Sequence, residues 1–120
     1  MHNEQDVRLK KGMVRSTIRM LIPLEKQSEA LDVLGSVSTQ IQSERSCISS
    51  RLYRGVDEVR AIMVEELWDN DEDILQHLRS DEFRQILLVI EMAEEHPEIR
   101  FDTIGNSSGF ETIENARNPR

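Results

Sequence analysis

The sequence predicts an α+β fold in which strands and helices follow in the order β-α-β-β-α-β, the ferredoxin-like arrangement with a four-stranded antiparallel sheet. Three observations lead to this class. Four short runs rich in β-branched and other apolar residues are separated by segments with Pro, Gly or Asn. Two longer stretches repeat apolar residues with the helical period of 3.6. The chain has 120 residues and a mass of 13.9 kDa, which suits one domain with its own core.

The first strand and the first helix are predicted on either side of Pro23. Residues 13–22 are rich in β-branched and apolar side chains, and proline ends the run. Residues 25–43 follow as a helix. One face of the strand and one stripe of the helix are expected in the core: Val14, Ser16, Ile18, Met20 and Ile22, and Ala30, Leu34, Val37 and Ile41.

Two further strands are predicted around a turn at residues 55–58. The second strand covers residues 47–54 and is the weaker one. The third covers residues 59–68 and carries apolar side chains on both faces. A strand that is apolar on both faces is buried on both faces, so this strand is expected in the centre of the sheet.

The second helical slot is predicted as two helices, each with its own N-cap. Asn70 caps a short helix over residues 71–79, and Ser80 caps a longer one over residues 81–95. A fourth strand follows at residues 98–104. In the longer helix the expected core stripe is Phe83, Ile86, Leu87 and Ile90, and the side chains expected to make a second contact are Leu88 and Met92.

The predicted domain covers residues 13–104, with an N-terminal arm over residues 1–12 and a C-terminal tail over residues 105–120. The tail is polar apart from Phe110 and Ile113, which are expected to anchor it, and it could pack on a partner subunit. One sheet face lies under helices and the other needs a cover. A second copy of the same chain would cover this face with its own open face, so we expect a homodimer that joins two sheets face to face.

Charge and composition exclude several classes of function. The net charge of −8 and the pI near 4.9 argue against binding to nucleic acid or to an anionic membrane surface. The longest apolar run, residues 86–90, is far too short to span a bilayer. The first residues carry no apolar secretory segment, so a cytoplasmic protein is expected. The lone Cys47 excludes an intrachain disulfide and a cysteine zinc cluster.

The charge is unevenly distributed along the chain. Residues 1–60 hold 10 basic and 8 acidic side chains, a net +2, whereas residues 61–120 hold 5 and 15, a net −10. The acidic excess falls on the later helices and their caps, and the arginines fall on or beside strands. We therefore expect partly buried arginines paired with carboxylates among this set: Arg15, Arg19, Arg51, Arg54 and Arg60.

Two segments resemble the antibiotic biosynthesis monooxygenase (ABM) domain family. Residues 65–83 read Glu-Glu-Leu-Trp-Asp-Asn-Asp-Glu-Asp-Ile-Leu-Gln-His-Leu-Arg-Ser-Asp-Glu-Phe, with an acidic residue and an aromatic at the end of strand three and a His on the next helix. Residues 43–54 resemble the family's loop into strand two, without the usual Pro-Gly. The resemblance implies a dimeric α+β barrel. It also implies oxidation of quinols, aromatic polyketides or haem, often with no cofactor, or small-molecule binding.

The haem-degrading branch of the family does not match this sequence. That branch pairs the strand-three Trp with an Asn on strand one and a His on the long helix. Trp68 matches, but strand one has no Asn and the helix position falls near Leu87. Haem iron needs an axial ligand such as imidazole, and neither His77 nor His96 lies at the matching place.

Three residues are candidates for the site. His77 lies at the edge of an apolar helix face and could move a proton of a bound phenol as the catalytic group; the alternative is a boundary histidine in a local hydrogen bond. Trp68 could stack on a flat substrate, and the alternative is a core residue closing a central strand. Tyr53 could face the same substrate cavity, although ordinary packing explains it as well.

Other polar features are better explained by structure than by chemistry. If Arg15, Arg19 and Arg51 share a face with Glu65 and Glu66, a hydrogen-bonded network in or near the dimer barrel is expected, in preference to binding of a substrate carboxylate. The acidic residues of segment 69–73 lack the spacing of a calcium loop and suit the first turn of a helix, so no metal is expected. Cys47 is expected to be inert.

Two functions remain open. The first is a homodimeric monooxygenase that works without a cofactor on a quinol or another small electron-rich aromatic compound, in a mostly apolar pocket. The second is a non-catalytic homodimer that binds a small hydrophobic ligand or another protein. A roomy pocket lined by Trp68 and His77 would favour the enzyme, and tight packing of these side chains would favour the binding protein.

Overall fold

The computed structural model describes residues 9–118. The arm predicted over residues 1–12 and the tail over residues 105–120 therefore lie partly outside the described residues. Four strands form the sheet: β1 Val14–Leu21, β2 Cys47–Arg54, β3 Ala61–Trp68 and β4 Glu98–Thr103. A 3-10 turn, Leu24–Lys26, leads into the first of four helices: α1 Gln27–Gln42, α2 Asp71–Leu78, α3 Asp81–Ile90 and α4 Phe110–Arg117.

The sheet is antiparallel throughout and has the order β2-β3-β1-β4. The α+β class and the predicted order of the seven helices and strands from β1 to β4 are confirmed. β3 lies between β1 and β2, as its apolar side chains on both faces predicted. Within the described residues no helix is both long and apolar enough to cross a membrane.

The core lies between the sheet and the helices. Alternate β1 side chains from Val14 to Met20 are buried on the helix side, and α1 buries its stripe at Ala30, Leu34, Val37 and Ile41. α1 packs against β2 and α3. The same alternation places Ile62, Val64, Glu66 and Trp68 of β3 on the helix side, opposite Met20, Ile18, Ser16 and Val14.

The other side of the sheet, called the open face below, is largely charged. Among the described residues, no helix packs over it. Arg15 lies 3.9 Å from Glu65, and Arg19 lies 3.7 Å from Glu98. Both arginine side chains are more than one third exposed. At one end of the open face a small apolar cluster forms from Met13, Leu67, Ile104 and Leu9.

Two sequence expectations about α3 need correction. In α3 the buried residues are Ile86 and Val89, whereas Leu87 is 46% exposed, because the stripe is centred between the positions we chose. α3 ends at Ile90, five residues early, in turns that return Met92 to the core. Leu88 is exposed in this chain, and the second contact expected for it remains a prediction.

The C-terminal segment forms a helix where we expected a polar tail. α4 runs over Phe110–Arg117, and none of its residues is buried. Phe110 and Ile113, which we expected to act as anchors, are 69% and 52% exposed. Phe110 and Ile113 therefore do not anchor the segment to the core of this chain. The linker of residues 105–109, which begins and ends with Gly, leads to an α4 that has no buried residue.

Candidate functional site

The candidate site is built where β3 ends and α2 begins. Asn70 caps α2: its side-chain oxygen accepts a hydrogen bond from the backbone N–H of Asp73 at 3.0 Å. Three acidic residues in the first turn suit the positive end of the helix dipole. With its N-terminus fixed in this way, the helix turns Ile74 and His77 toward the sheet, and these are its buried residues.

His77 and Trp68 stack on each other inside the protein. Their ring centroids are 4.6 Å apart and the planes are inclined by 26°. Phe83 of α3 meets the His77 ring edge-on, with centroids 5.4 Å apart. Trp68 is fully buried, and the His77 side chain is 1% exposed. The two residues chosen from the sequence as catalytic group and substrate wall are therefore brought into direct contact.

Glu66 completes a buried cluster with these two rings. The indole Nε1–H of Trp68 donates a hydrogen bond to Oε1 of Glu66 at 3.0 Å. The same oxygen lies 3.1 Å from Nε2 of His77. The approach to Nε2 is off the direction of a good hydrogen bond, so both ring nitrogens are buried without a well-aligned partner among the described residues. A buried polar group without a partner is costly and calls for an explanation.

Among the ion pairs of the described residues, no Lys or Arg side chain pairs with the carboxylate of Glu66. Its neighbours across the sheet are two buried serines, Ser16 on β1 and Ser50 on β2. The network expected from the sequence depended on Glu65 and Glu66 sharing a face with the strand arginines. Adjacent residues of a strand point to opposite faces, so only one of the two could lie there, and the structure places Glu65 on it.

A pocket of about 430 Å³ lies beside the cluster, against α2. It is lined by Glu44, Arg45, Ser46, Asp73, Gln76, His77 and Ser80. His77 belongs to this lining and Trp68 does not, because the Trp68 ring lies behind the His77 ring. The lining is polar, so the expectation of a mostly apolar pocket is wrong for this cavity. Its size is within the range of ordinary small-molecule sites.

Tyr53 lies away from the cluster. It pairs with Met63 across β2 and β3, whereas Trp68 pairs with Cys47 at the other end of these strands. Its hydroxyl donates to Glu65 at 3.4 Å on the open face. A separate hollow of about 220 Å³ contains Tyr53 together with Arg19, Arg54, Gly55, Ala61 and Met63. The predicted contact of Tyr53 with the same substrate as Trp68 thus finds no support in its position.

Cys47 is close to the cluster but is held as a neutral thiol. Burial, followed by the nearby charges of Glu66 and Glu44, raises the pKa of Cys47 from 9.0 to about 12, against a hydrogen bond to the Ser49 carbonyl that lowers it. A thiol with such a high pKa is a poor nucleophile. Among residues 9–118 no three His, Cys, Asp or Glu side chains gather as a metal site.

The comparisons with known proteins agree with the resemblance read from segments 43–54 and 65–83. The family model of the antibiotic biosynthesis monooxygenases matches residues 13–87. No curated protein matches the sequence. Among solved structures, a conserved protein of Methanosarcina mazei Go1 is 24% identical over 76% of this chain and 91% of its own, with a TM-score of 0.71.

Two further solved structures are similar in the same way. Rv0793 from Mycobacterium tuberculosis is 16% identical over 82% of this chain and 100% of its own, with a TM-score of 0.72. A protein of Deinococcus radiodurans named for antibiotic biosynthesis monooxygenases is 15% identical over 80% of this chain and 96% of its own, also with a TM-score of 0.72. These likenesses show the fold. Because the family model covers more than half of the sequence, the chain belongs to the antibiotic biosynthesis monooxygenase family.

Proposed function

We propose that this protein binds a small electron-rich aromatic compound, such as a quinol, beside His77 and oxygenates it with O₂ as a monooxygenase. The observation that carries the proposal is the buried His77 ring, whose nitrogens lack well-aligned partners and which borders a pocket of about 430 Å³. Unpartnered polar atoms next to a cavity suit a site that a ligand completes. Membership of the family supports the type of reaction.

In the proposed reaction His77 acts as the general base. It takes the proton of a substrate hydroxyl, and the electron pair stays on the oxygen and enriches the ring. The electron-rich ring then reduces O₂. For a hydroquinone, one oxygen atom enters a ring C–H bond to give a hydroxyl group, the ring is oxidised to the hydroxyquinone, and its two former hydroxyl hydrogens leave with the other oxygen as water. For an anthrol, the ring CH₂ of its keto tautomer becomes a carbonyl, and both hydrogens of that CH₂ leave in the water. No other reductant is needed in this balance. Trp68 supports the His77 ring from behind and keeps water away from it.

A second candidate is a non-catalytic protein that binds a small molecule in the same pocket. It is favoured by the position of Trp68, which is completely buried under His77 and offers no flat wall to a ligand. The polar lining, with carboxylates of Glu44 and Asp73 beside Arg45, also suits a hydroxylated ligand held by hydrogen bonds rather than by stacking.

Oxygen consumption with a panel of hydroquinones and anthrols tests the proposal. We expect uptake with at least one compound, and a reduction in kcat of about 10²-fold or more for His77→Gln, the size usual for a lost general base. His96→Gln is the matched control, because His96 is exposed in the loop before β4. Equal rates for wild type and His77→Gln would remove His77 from the mechanism. Binding without any oxygen uptake would favour the second candidate.

A further inference from the structure

The carboxylate of Glu66 is the most deeply buried acidic group of the site. The residue is 3% exposed, and its Oε1 accepts the indole N–H of Trp68 at 3.0 Å. That bond uses part of the accepting capacity of one oxygen, while an ionised carboxylate offers about four lone-pair positions. Burying a carboxylate is expensive unless further donors face it.

The nearest further donor is the ring of His77. Nε2 lies 3.1 Å from Oε1 of Glu66, close enough for a hydrogen bond after a small rotation of the ring. An ionised carboxylate can only accept, so a proton on Nε2 makes this contact attractive and a bare Nε2 makes it repulsive. A neutral imidazole that carries its proton on Nε2 has a lone pair on Nδ1. Nδ1 is buried and has no partner among the described residues.

We infer that Glu66 is a positioning residue that keeps the proton of His77 on Nε2, so that Nδ1 is left to accept a hydrogen bond from an O–H group of the ligand. This inference rests on the proposed function for the identity of the site. It narrows the ligand to one that presents a hydroxyl, such as a phenol or an enol, and disfavours its O-methylated or carbonyl-only analogue.

The proton step follows from the same geometry. The ligand's O–H bond breaks, its proton forms a bond to Nδ1, and the electron pair remains on the ligand oxygen. His77 then carries a positive charge whose Nε2–H faces the carboxylate of Glu66. Carboxylate–imidazole pairs in known enzymes hold the ring in one tautomer and stabilise the imidazolium in this way. His77 is one of the residues that line the pocket, and its ring is 1% exposed, so Nδ1 meets an occupant after a local movement of the ring or of a neighbouring side chain.

Nitrogen NMR of the full chain labelled with ¹⁵N-histidine measures the tautomer directly. The signals of His77 are assigned by their loss in His77→Gln, with His2 and His96 remaining. We expect neutral His77 in wild type to be almost entirely the Nε2–H form, and the Nδ1–H form to rise several-fold in Glu66→Gln. This variant keeps an oxygen for Trp68 but removes the charge. Glu65→Gln, the neighbour on the open face, is the matched control.

An unchanged tautomer ratio in folded Glu66→Gln, or an equal change in Glu65→Gln, would overturn the role of Glu66. The fluorescence of Trp68, the only Trp, reports binding of hydroquinone and 1,4-dimethoxybenzene. We expect the dimethyl ether to bind at least 10-fold more weakly, and equal affinities would overturn the hydroxyl requirement. If neither compound nor the oxygen-uptake panel gives a signal, the proposed function fails, while the NMR comparison still decides what Glu66 does.

Discussion

At the scale of single residues, neighbouring acidic side chains of this chain have very different environments. Glu66 is buried against two rings, whereas Glu65 lies on the open face near Arg15. Glu58 is different again. It is partly exposed and accepts three hydrogen bonds from Arg60, two from the guanidinium at 2.8 and 3.2 Å and one from the backbone N–H at 3.2 Å. Position in the fold, rather than residue type, sets the role of each carboxylate.

The pairing of Glu58 with Arg60 makes a prediction about pH. These hydrogen bonds lower the pKa of Glu58 from 4.5 to about 2. A carboxylate with a lower pKa in the folded state stabilises that state fully above its unfolded pKa, and the stabilisation is lost as pH falls through the folded pKa. We expect Glu58→Gln to unfold at lower urea concentration than wild type at pH 7. The difference should narrow below about pH 4.5 and nearly vanish at pH 2.

Asp57→Asn is the control for this titration, because Asp57 is an exposed neighbour in the same turn. Urea midpoints measured by circular dichroism from pH 7 down to pH 2 provide the comparison. A gap between wild type and Glu58→Gln that stays constant with pH would contradict the assignment.

At the scale of secondary structure, α2 is the element that decides whether the site exists. It has eight residues, too few to be stable by itself in water. It is held by its Asn70 cap at one end and by the burial of Ile74 and His77 along its inner face. His77 lines the pocket and lies 3.1 Å from Glu66, so a less stable α2 would hold His77 less firmly in both positions.

Removal of the α2 cap should reduce both stability and binding. In Asn70→Ala the backbone N–H of Asp73 loses its acceptor, so we expect a loss of about 1 kcal/mol in the free energy of unfolding. Because His77 is on the same helix, the fluorescence of Trp68 should change as the stacking weakens. Asn106→Ala in the exposed loop after β4 is the control. Equal urea midpoints for Asn70→Ala and Asn106→Ala would contradict the stabilising role of the Asn70 cap.

At the scale of the whole molecule, the open face and α4 are two surfaces of the described residues that lack a cover. The open face combines charged pairs with Leu21, Met63 and Tyr53, and α4 exposes Phe110 and Ile113. Larger apolar patches at a protein surface commonly mark contacts with another molecule. The sheet-to-sheet homodimer predicted from the sequence would cover the first of these surfaces, and it remains a prediction.

Substitution at the centre of the open face tests that homodimer. Light scattering after size exclusion should give twice the chain mass of 13.9 kDa for wild type. Met63→Arg places a charge in the proposed contact and should give the single-chain mass with an unchanged circular dichroism spectrum, because desolvating an unpaired charge in an interface is costly. Leu75→Arg is the control, at an exposed site on α2. A wild-type monomer at micromolar concentration would contradict the homodimer.

Particular residues explain how much of this could be predicted. Period-two alternation placed Val14 to Met20 on one buried face, and capping residues placed the starts of α2 and α3. The same local rules failed for part of α3, where Leu87 was expected in the core but is 46% exposed and Val89 is buried, because apolar residues on both sides of Ile86 leave the centre of the stripe ambiguous. They also missed α4, whose short, polar sequence carries little helical signal.

The sequence by itself determined the fold class, the order of the seven helices and strands from β1 to β4, the family and the choice of Trp68 and His77 as candidates for the site. These depend on local periodicity, capping and motif spacing. Only the tertiary structure decided that Trp68 stacks behind His77, that Tyr53 lies apart, and that Glu66 rather than Glu65 joins the site. The reason is physical: strand register and helix docking set which distant side chains meet, and a one-residue step along β3 reverses the face.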